Sequence, residues 1–193
     1  RNPAPPFTTS TLQQEASRKI GFAIKKTMSV AQSLYESGHI TYMRTDSTRI
    51  SDEARAAAKT QIVANYGEEY YENRFYKTKS EAQDAHEAIR PAHVELTPED
   101  IKSSLTSDQY KLYRLIYNRF IASQMASSIY DTVSVSVDAN NYNFKANGQT
   151  MKFKGFMTLY VEGEDSKANE EVTHIPELEG GEEVKKEKID PKQ

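Results

Sequence analysis

Apolar residues recur at helical spacing from Thr8 to about Ser127, and then the period changes to two. Thr9 or Ser10 is placed to cap a helix running through Gln13, Ala16 and Ile20. Thr27 is placed to cap a second, with Val30, Ala31, Leu34 and Tyr35 on one face and Gly38 as its stop. Ser51 precedes "DEARAAAKTQIVANY", acidic in its first turn and Ala-rich inside, and Gly67 ends it. The run Thr97-Pro98-Glu99-Asp100 joins a capping-box pattern to a proline at a first helical position. Thr106-x-x-Gln109 opens the strongest helix, with Tyr110, Tyr113, Ile116, Tyr117, Phe120 and Ile121 on one stripe. An aromatic stripe at that spacing is read as core rather than as a platform for stacking bases.

After Ser128, Val133, Val135 and Val137 alternate with polar residues, and Tyr142, Phe144 and Ala146 repeat the alternation. Asn147-Gly148 predicts a two-residue hairpin turn before Met151 and Phe153. Phe156 to Val161 reads as another strand, "EGEDSKANEE" as a solvated loop, and the tail "EGGEEVKKEKIDPKQ" as one weak strand that frays. The expectation is therefore an α+β chain. A mainly helical domain over 1–128 precedes a partial antiparallel β domain over 129–193, whose apolar-poor strands call for further chain to pack on.

Composition narrows the choice of chemistry. The 193 residues contain no cysteine, which excludes disulfides and thiolate metal sites and fits a reducing compartment. No apolar run approaches the roughly 20 residues of a membrane span. The opening "RNPAPPF" lacks a methionine and predicts a piece of a longer polypeptide. Net charge is −3, but it is unevenly spread. Residues 1–49 hold seven Lys/Arg against three Asp/Glu, residues 50–128 ten against twelve, and residues 129–193 eight against thirteen. The basic end hints at a polyanionic partner. Phosphate-loop, dinucleotide-binding and H-E-x-x-H patterns are all missing, and His39, His86, His93 and His174 lack metal-ligand spacing.

Two stretches remain. In "ITYMRTDS" (Ile40 to Ser47), an extended backbone puts Tyr42 and Arg44 on one face, one pleat apart. A phenol has an ordinary pKa near 10 and needs a cationic, weakly hydrated setting to attack anything at neutral pH. Arginine supplies a charge that cannot be lost. On local chemistry alone, a core tyrosine beside a surface arginine is the simpler reading. In "DAHEAIRP" (Asp84 to Pro91), a helical turn would set His86 and Arg90 at i and i+4, a pairing suited to phosphate. The simpler alternative there is a solvated helix end with Glu87 pairing within it.

Together the stretches resemble the type IA DNA topoisomerases, specifically the bacterial topoisomerase I group. "PPFTTSTLQQEAS", "KKTMSVAQSLYESG", "ITYMRTDS" and "AHEAIRP" follow one another in the family's order. The likeness continues through "YKLYRLIYNRFIASQM", "FKANGQTMKFKGFMTLY" and "IPELEGGEEV". Methionine at position 43 resembles the topoisomerase I branch, since the topoisomerase III branch typically has proline there. The resemblance implies that Tyr42 attacks a DNA backbone phosphorus, forming a 5′-phosphotyrosine link and freeing a 3′-hydroxyl. It implies that Arg44 contacts the scissile phosphate and that His86 helps position it, with Asp46 and Arg90 behind them. Exchange of one phosphoester for another conserves bond energy, so relaxation of negative supercoils would need no ATP. A helix-turn-helix-like module would here present the tyrosine instead of reading a groove.

The family's Mg²⁺-binding acidic cluster and catalytic lysine lie in an N-terminal toprim domain, to which nothing in these residues corresponds. Mg²⁺ is therefore expected in the parent enzyme and not on this chain, and the isolated piece is expected to be inactive. The implied partners are single-stranded DNA at the cleavage site and the remaining domains of the parent protein, in the bacterial cytoplasm and away from any membrane. Two further readings compete: a non-catalytic helix-turn-helix DNA-binding module with a structural Tyr42, and an interaction domain that docks through its β arm.

Overall fold

The computed structural model describes residues 1–76 and 86–163, together with Ile175, Gly180, Gly181 and Glu183. The fold is α+β, as the change of period predicts. Four helices, α1 (Thr9–Ile20), α2 (Ile24–Glu36), α3 (Asp52–Tyr66) and α4 (Ser107–Ser123), precede an antiparallel pair of strands, β1 (Ile129–Ala139) and β2 (Tyr142–Phe153). The chain divides into two compact units. One comprises Arg1–Ile129 with the described part of Phe153–Ala168, and the other is built on Tyr130–Lys152.

In the first unit α1, α2 and α4 pack against one another. They bury Leu12 and Ala16 from α1, Ala31 and Leu34 from α2, and Leu112, Tyr113, Ile116 and Phe120 from α4. The predicted aromatic stripe is thus core, with Tyr110 at its half-buried edge. Helix α3 adds Ala54, Ala58 and Ile62. Its predicted cap holds, because Ser51 Oγ accepts from Ala54 N. The predicted capping box of α4 is complete as well. Thr106 N donates to Gln109 Oε1 at 2.9 Å, and Gln109 N donates to Thr106 Oγ1 at 3.2 Å.

Five local expectations are corrected. Helix α1 is capped by Thr8, one residue before Thr9, through reciprocal bonds with Thr11. Helix α2 begins after Ala23 with no side-chain cap. Thr27 lies inside it, fully buried, with its hydroxyl donated back to the Ala23 carbonyl at 3.2 Å. Thr97 and Asp100 do exchange capping bonds, yet only a turn and the 3-10 segment Lys102–Ser104 follow. The hairpin turns at Asn140-Asn141, with Asn140 at φ 53, while Asn147-Gly148 continues β2. Asparagine tolerates the left-handed conformation that such a turn demands, so a second Asn pair competes with Asn-Gly. Phe156–Val161 is no strand, since Gly155–Thr158 forms a 3-10 turn. The predicted tail strand lies outside the described residues, apart from isolated positions.

Gly155 is required where it stands. Its φ is +50, and any Cβ would collide with the carbonyl oxygens of Ala126 and Ser127. Phe156 N donates to the Ala126 carbonyl at 2.9 Å, so the segment after β2 returns to the helical unit beside the start of β1. A buried polar cluster then holds it. Arg119, only 3% exposed, donates from Nε to the Pro5 carbonyl at 2.6 Å and from Nη1 to Glu162 Oε1 at 2.8 Å. Glu15, 2% exposed, accepts from the Tyr160 hydroxyl at 2.7 Å and from Gly163 N at 3.0 Å. Burial first, and then the bond to Glu15, pushes the Tyr160 phenol well above its ordinary range.

In the second unit Val135 and Val137 are half-buried, whereas Val133, Tyr142, Phe144 and Met151 are exposed. Polar cross-links run along the ribbon, including Ser134 to Asn147 at 2.6 Å and Lys152 to Asp131 at 3.0 Å.

Arg119→Ala removes the donor to Pro5 and the partner of half-exposed Glu162. Urea unfolding should show a loss of about 2–3 kcal/mol. A second prediction concerns alkaline pH. Burial pushes Tyr76 and Tyr117 up to about 12, and both hydroxyls donate to carbonyls, of Ser123 and Val94 respectively. Each phenol holds its proton more tightly folded than unfolded. Their contribution is therefore complete below pH 10 and is lost as pH rises through about 12. Denaturant midpoints measured from pH 9 to 12 should fall across that window, and less steeply in Tyr117→Phe.

Candidate active site

The segment from Ile40 to Ser47 belongs to no helix or regular strand, and its conformation is imposed from both sides. At its start Ile40 forms an antiparallel bridge with Pro91. Thr41 N donates to the Arg90 carbonyl at 2.9 Å. The Thr41 hydroxyl donates to the Ala88 carbonyl at 2.7 Å and accepts from Arg90 N at 3.0 Å. Further on, Thr9 in the first turn of α1 takes over. Its hydroxyl lies 2.8 Å from the Met43 carbonyl and accepts from Thr45 N at 2.9 Å, while Thr9 N donates to the Thr45 carbonyl at 2.8 Å. Hydroxyls at Thr45 and Ser47 then bond the amides two residues on.

These bonds hold the segment while it bends at Thr41, Met43 and Arg44, and burial alternates along it. Met43, Thr45 and Ser47 are buried, and Tyr42, Arg44 and Asp46 are exposed. Sequence reasoning expected Tyr42 and Arg44 to share a face of extended chain; both are exposed on either side of the buried Met43, while the backbone there bends instead of running extended. The bland alternative of Tyr42 as a core ring fails, because the residue is 41% exposed. Its ring instead leans edge-on against Tyr35 of α2, with centroids 5.2 Å apart and planes at 64°. Arg44 has no hydrogen-bond or ion-pair partner among the described residues. Asp46, two residues further on, is exposed as well.

The helical reading of "DAHEAIRP" is corrected. Asp84 and Ala85 lie outside the described residues, and His86 to Pro91 is extended. Ile89 bridges Phe7, and Ala88 N donates to the Arg49 carbonyl at 2.9 Å. An extended rise sets the Cα atoms of His86 and Arg90 about 13 Å apart, so the two do not form one pincer. His86 is exposed on the strand that Thr41 grips. Arg90 is largely committed elsewhere: its Nε donates to Glu87 Oε2 at 2.9 Å and its Nη1 to the Pro91 carbonyl at 2.8 Å. The Glu87 pairing foreseen as the simpler alternative is thus present, though in extended chain. Tyr42, Arg44, Asp46 and His86 are all exposed, the stretch that follows His86 pairs with Ile40 and Thr41, and Arg90 is half-buried against Glu87.

Three residues escaped sequence reasoning in these roles. Thr9 looked like a helix cap, Thr41 like part of a polar run, and Tyr35 like one more apolar helix position. The pins span 34 to 49 residues of chain, so no local spacing reveals them.

The family model described as DNA topoisomerase matches residues 1–193. Among solved structures, the chain is similar to full-length topoisomerase I from Thermotoga maritima, with a TM-score of 0.71 and 42% identity. That match covers 84% of this chain and 30% of the other, so the chain spans about a third of that relative's length. A whole-length family match and a fold shared at this identity agree with the motif order and the exposed Tyr-x-Arg face. The chain belongs to the DNA topoisomerase family, in its bacterial type IA branch.

Proposed function

We propose that this chain is the nucleophile-bearing part of a bacterial topoisomerase I, an ATP-independent isomerase that acts on DNA. The observation that carries the proposal is the exposed Tyr42, with Arg44 exposed two residues on, in a segment pinned by Thr9 and Thr41. In the cleavage step the Tyr42 phenolic oxygen attacks a backbone phosphorus. A new phosphorus–oxygen bond to the tyrosine forms as the bond to the 3′-oxygen breaks. The phenol loses its proton, and the leaving oxygen gains one to become a 3′-hydroxyl. Religation is the reverse attack, so a single covalent intermediate serves both directions.

Arg44 is the electrostatic partner in this scheme. The five-coordinate transition state carries added negative charge, and an arginine with no competing partner among the described residues is available to meet it. The proposal gives His86 a positioning role toward the same phosphate and Asp46 a supporting one. Arg90 acts at most through the backbone that it steadies.

Among the described residues no group of three or more His, Asp or Glu side chains is placed to hold a metal ion. On this reading Mg²⁺ is held by the acidic cluster of the parent enzyme's toprim domain. The single-stranded segment at the cleavage site and the parent protein's remaining domains are the proposed partners. No described helix is long and apolar enough to cross a membrane, and the proposed setting is the bacterial nucleoid.

The test supplies this chain with a toprim-containing part of the same enzyme and a labelled single-stranded oligonucleotide. Covalent adduct should form in the mixture, be absent from Tyr42→Phe, and form roughly 10²–10³-fold more slowly in Arg44→Gln. This chain alone should leave supercoiled DNA unrelaxed. Adduct of normal yield in Tyr42→Phe would remove the tyrosine from the mechanism and favour the non-catalytic DNA-binding reading.

A further inference from the structure

Arg49 lies seven residues after Tyr42, and among the described residues it is the one half-buried arginine whose side chain finds no partner. Its Nε is buried without a hydrogen-bond partner, and the guanidinium pairs with no described residue. The comparison within the molecule is sharp. Arg55 reaches the Ile50 carbonyl at 3.0 Å, Arg74 the Met125 carbonyl at 3.2 Å, Arg90 reaches Glu87, and Arg119 reaches Pro5 and Glu162. A guanidinium cannot escape burial by losing its proton, so an unmatched donor there weakens the fold unless an anion completes it.

The position of Arg49 indicates which anion. Its carbonyl accepts from Ala88 N at 2.9 Å, and the Ala88 carbonyl accepts the Thr41 hydroxyl at 2.7 Å. Arg49 and the residue next to Tyr42 therefore flank a single residue of the strand that carries His86. Two strand spacings, roughly 10 Å, separate their backbones. The surrounding stretch, residues 1–49, holds seven basic residues against three acidic ones. We propose that Arg49 binds a phosphodiester neighbouring the scissile one and positions the strand for Tyr42. The inference rests on the reading of Tyr42 and Arg44 given above and adds a contact that the Tyr-x-Arg face does not include. Arg49 is a positioning residue in this account, since it touches a phosphate that does not react.

A structural role and a binding role make opposite predictions for substitution. If the guanidinium awaits a phosphate, an apolar replacement of similar length relieves the buried donor and leaves the free protein as stable as before or more so. If it is structural, the same replacement destabilises.

The experiment measures binding of a fluorescent single-stranded oligonucleotide to this chain by anisotropy over a series of NaCl concentrations, with thermal melts of each variant. Arg49→Gln and Arg49→Met should weaken binding about tenfold at low salt and flatten the slope of log K against log salt by about 0.7, one phosphate contact. Arg49→Lys should restore the slope, and Arg49→Met should melt at or above the unsubstituted chain. Unchanged slopes in both Gln and Met variants overturn the proposal, and so does a sharply lowered melting temperature in Arg49→Met. Arg44→Gln, run in parallel, separates the two levels. A slope change there without one at Arg49 overturns this inference alone, whereas salt-independent binding by the unsubstituted chain overturns the DNA reading beneath it as well.

Discussion

Two threonine hydroxyls hold the segment that carries the proposed nucleophile. Thr9, from the first turn of α1, and Thr41, gripping the strand through Ala88 and Arg90, clamp a stretch that has no regular ladder of its own. A hydroxyl both donates and accepts, so each threonine engages two backbone groups and replaces part of the missing pairing. The consequence is geometric. Met43, Thr45 and Ser47 are buried, and Tyr42, Arg44 and Asp46 between and beside them stay exposed. A one-residue slip would bury the tyrosine and expose the methionine. Rigid presentation matters for a nucleophile, because a displacement of about an ångström at a reacting group is enough to cost a large part of its rate.

The clamp depends in turn on the helical unit. Thr9 is fixed because α1 packs against α2 and α4 through Leu12 and Ala16, and Tyr35 on α2 gives the Tyr42 ring a surface to lean on. The same helices hold the chain where it comes back from β2. Glu15 of α1 and Arg119 of α4 are buried charges with opposite tasks: one receives Tyr160 and Gly163, the other ties Pro5 to Glu162. Neither is an economical way to stabilise a core, and apolar residues of similar size often do as well. What these charges provide is a defined path for the returning segment, beside a glycine that no other residue can replace without moving the Ala126 and Ser127 carbonyls.

Much of this organisation was legible in the sequence wherever the determinant was local. The caps at Ser51 and Thr106, the aromatic stripe of α4 and the switch to alternation after Ser128 all depend on residues within a few positions of one another. The exposure of Tyr42 and Arg44 on either side of a buried Met43 also fits a period of two. What escaped were features decided by contact at a distance or by near-equal local options. Asn140-Asn141 and Asn147-Gly148 both satisfy a tight turn, and the pairing of β1 with β2 chose the first. His-x-x-x-Arg fits one helical face as well as an extended chain, and bonds to Phe7, Thr41 and Arg49 settled it as extended. Arg49 gave no signal in the sequence beyond its charge, and only its unmatched burial singles it out.

Family membership and the exposed Tyr-x-Arg face converge on one chemical claim, that Tyr42 is the residue which becomes joined to DNA. Tyr35 lies against it with its own ring half exposed, so identifying a tyrosyl adduct without placing it would leave two candidates. Tryptic cleavage after Lys26 and Arg44 puts both tyrosines on the peptide Thr27–Arg44. The most direct measurement is fragment-ion sequencing of that peptide from a denatured, trapped complex of this chain, its toprim-containing partner and single-stranded DNA. The account predicts a nucleotide joined through its 5′-phosphate to Tyr42, and a nucleotide on Tyr35, or one joined through a 3′-phosphate, would contradict it.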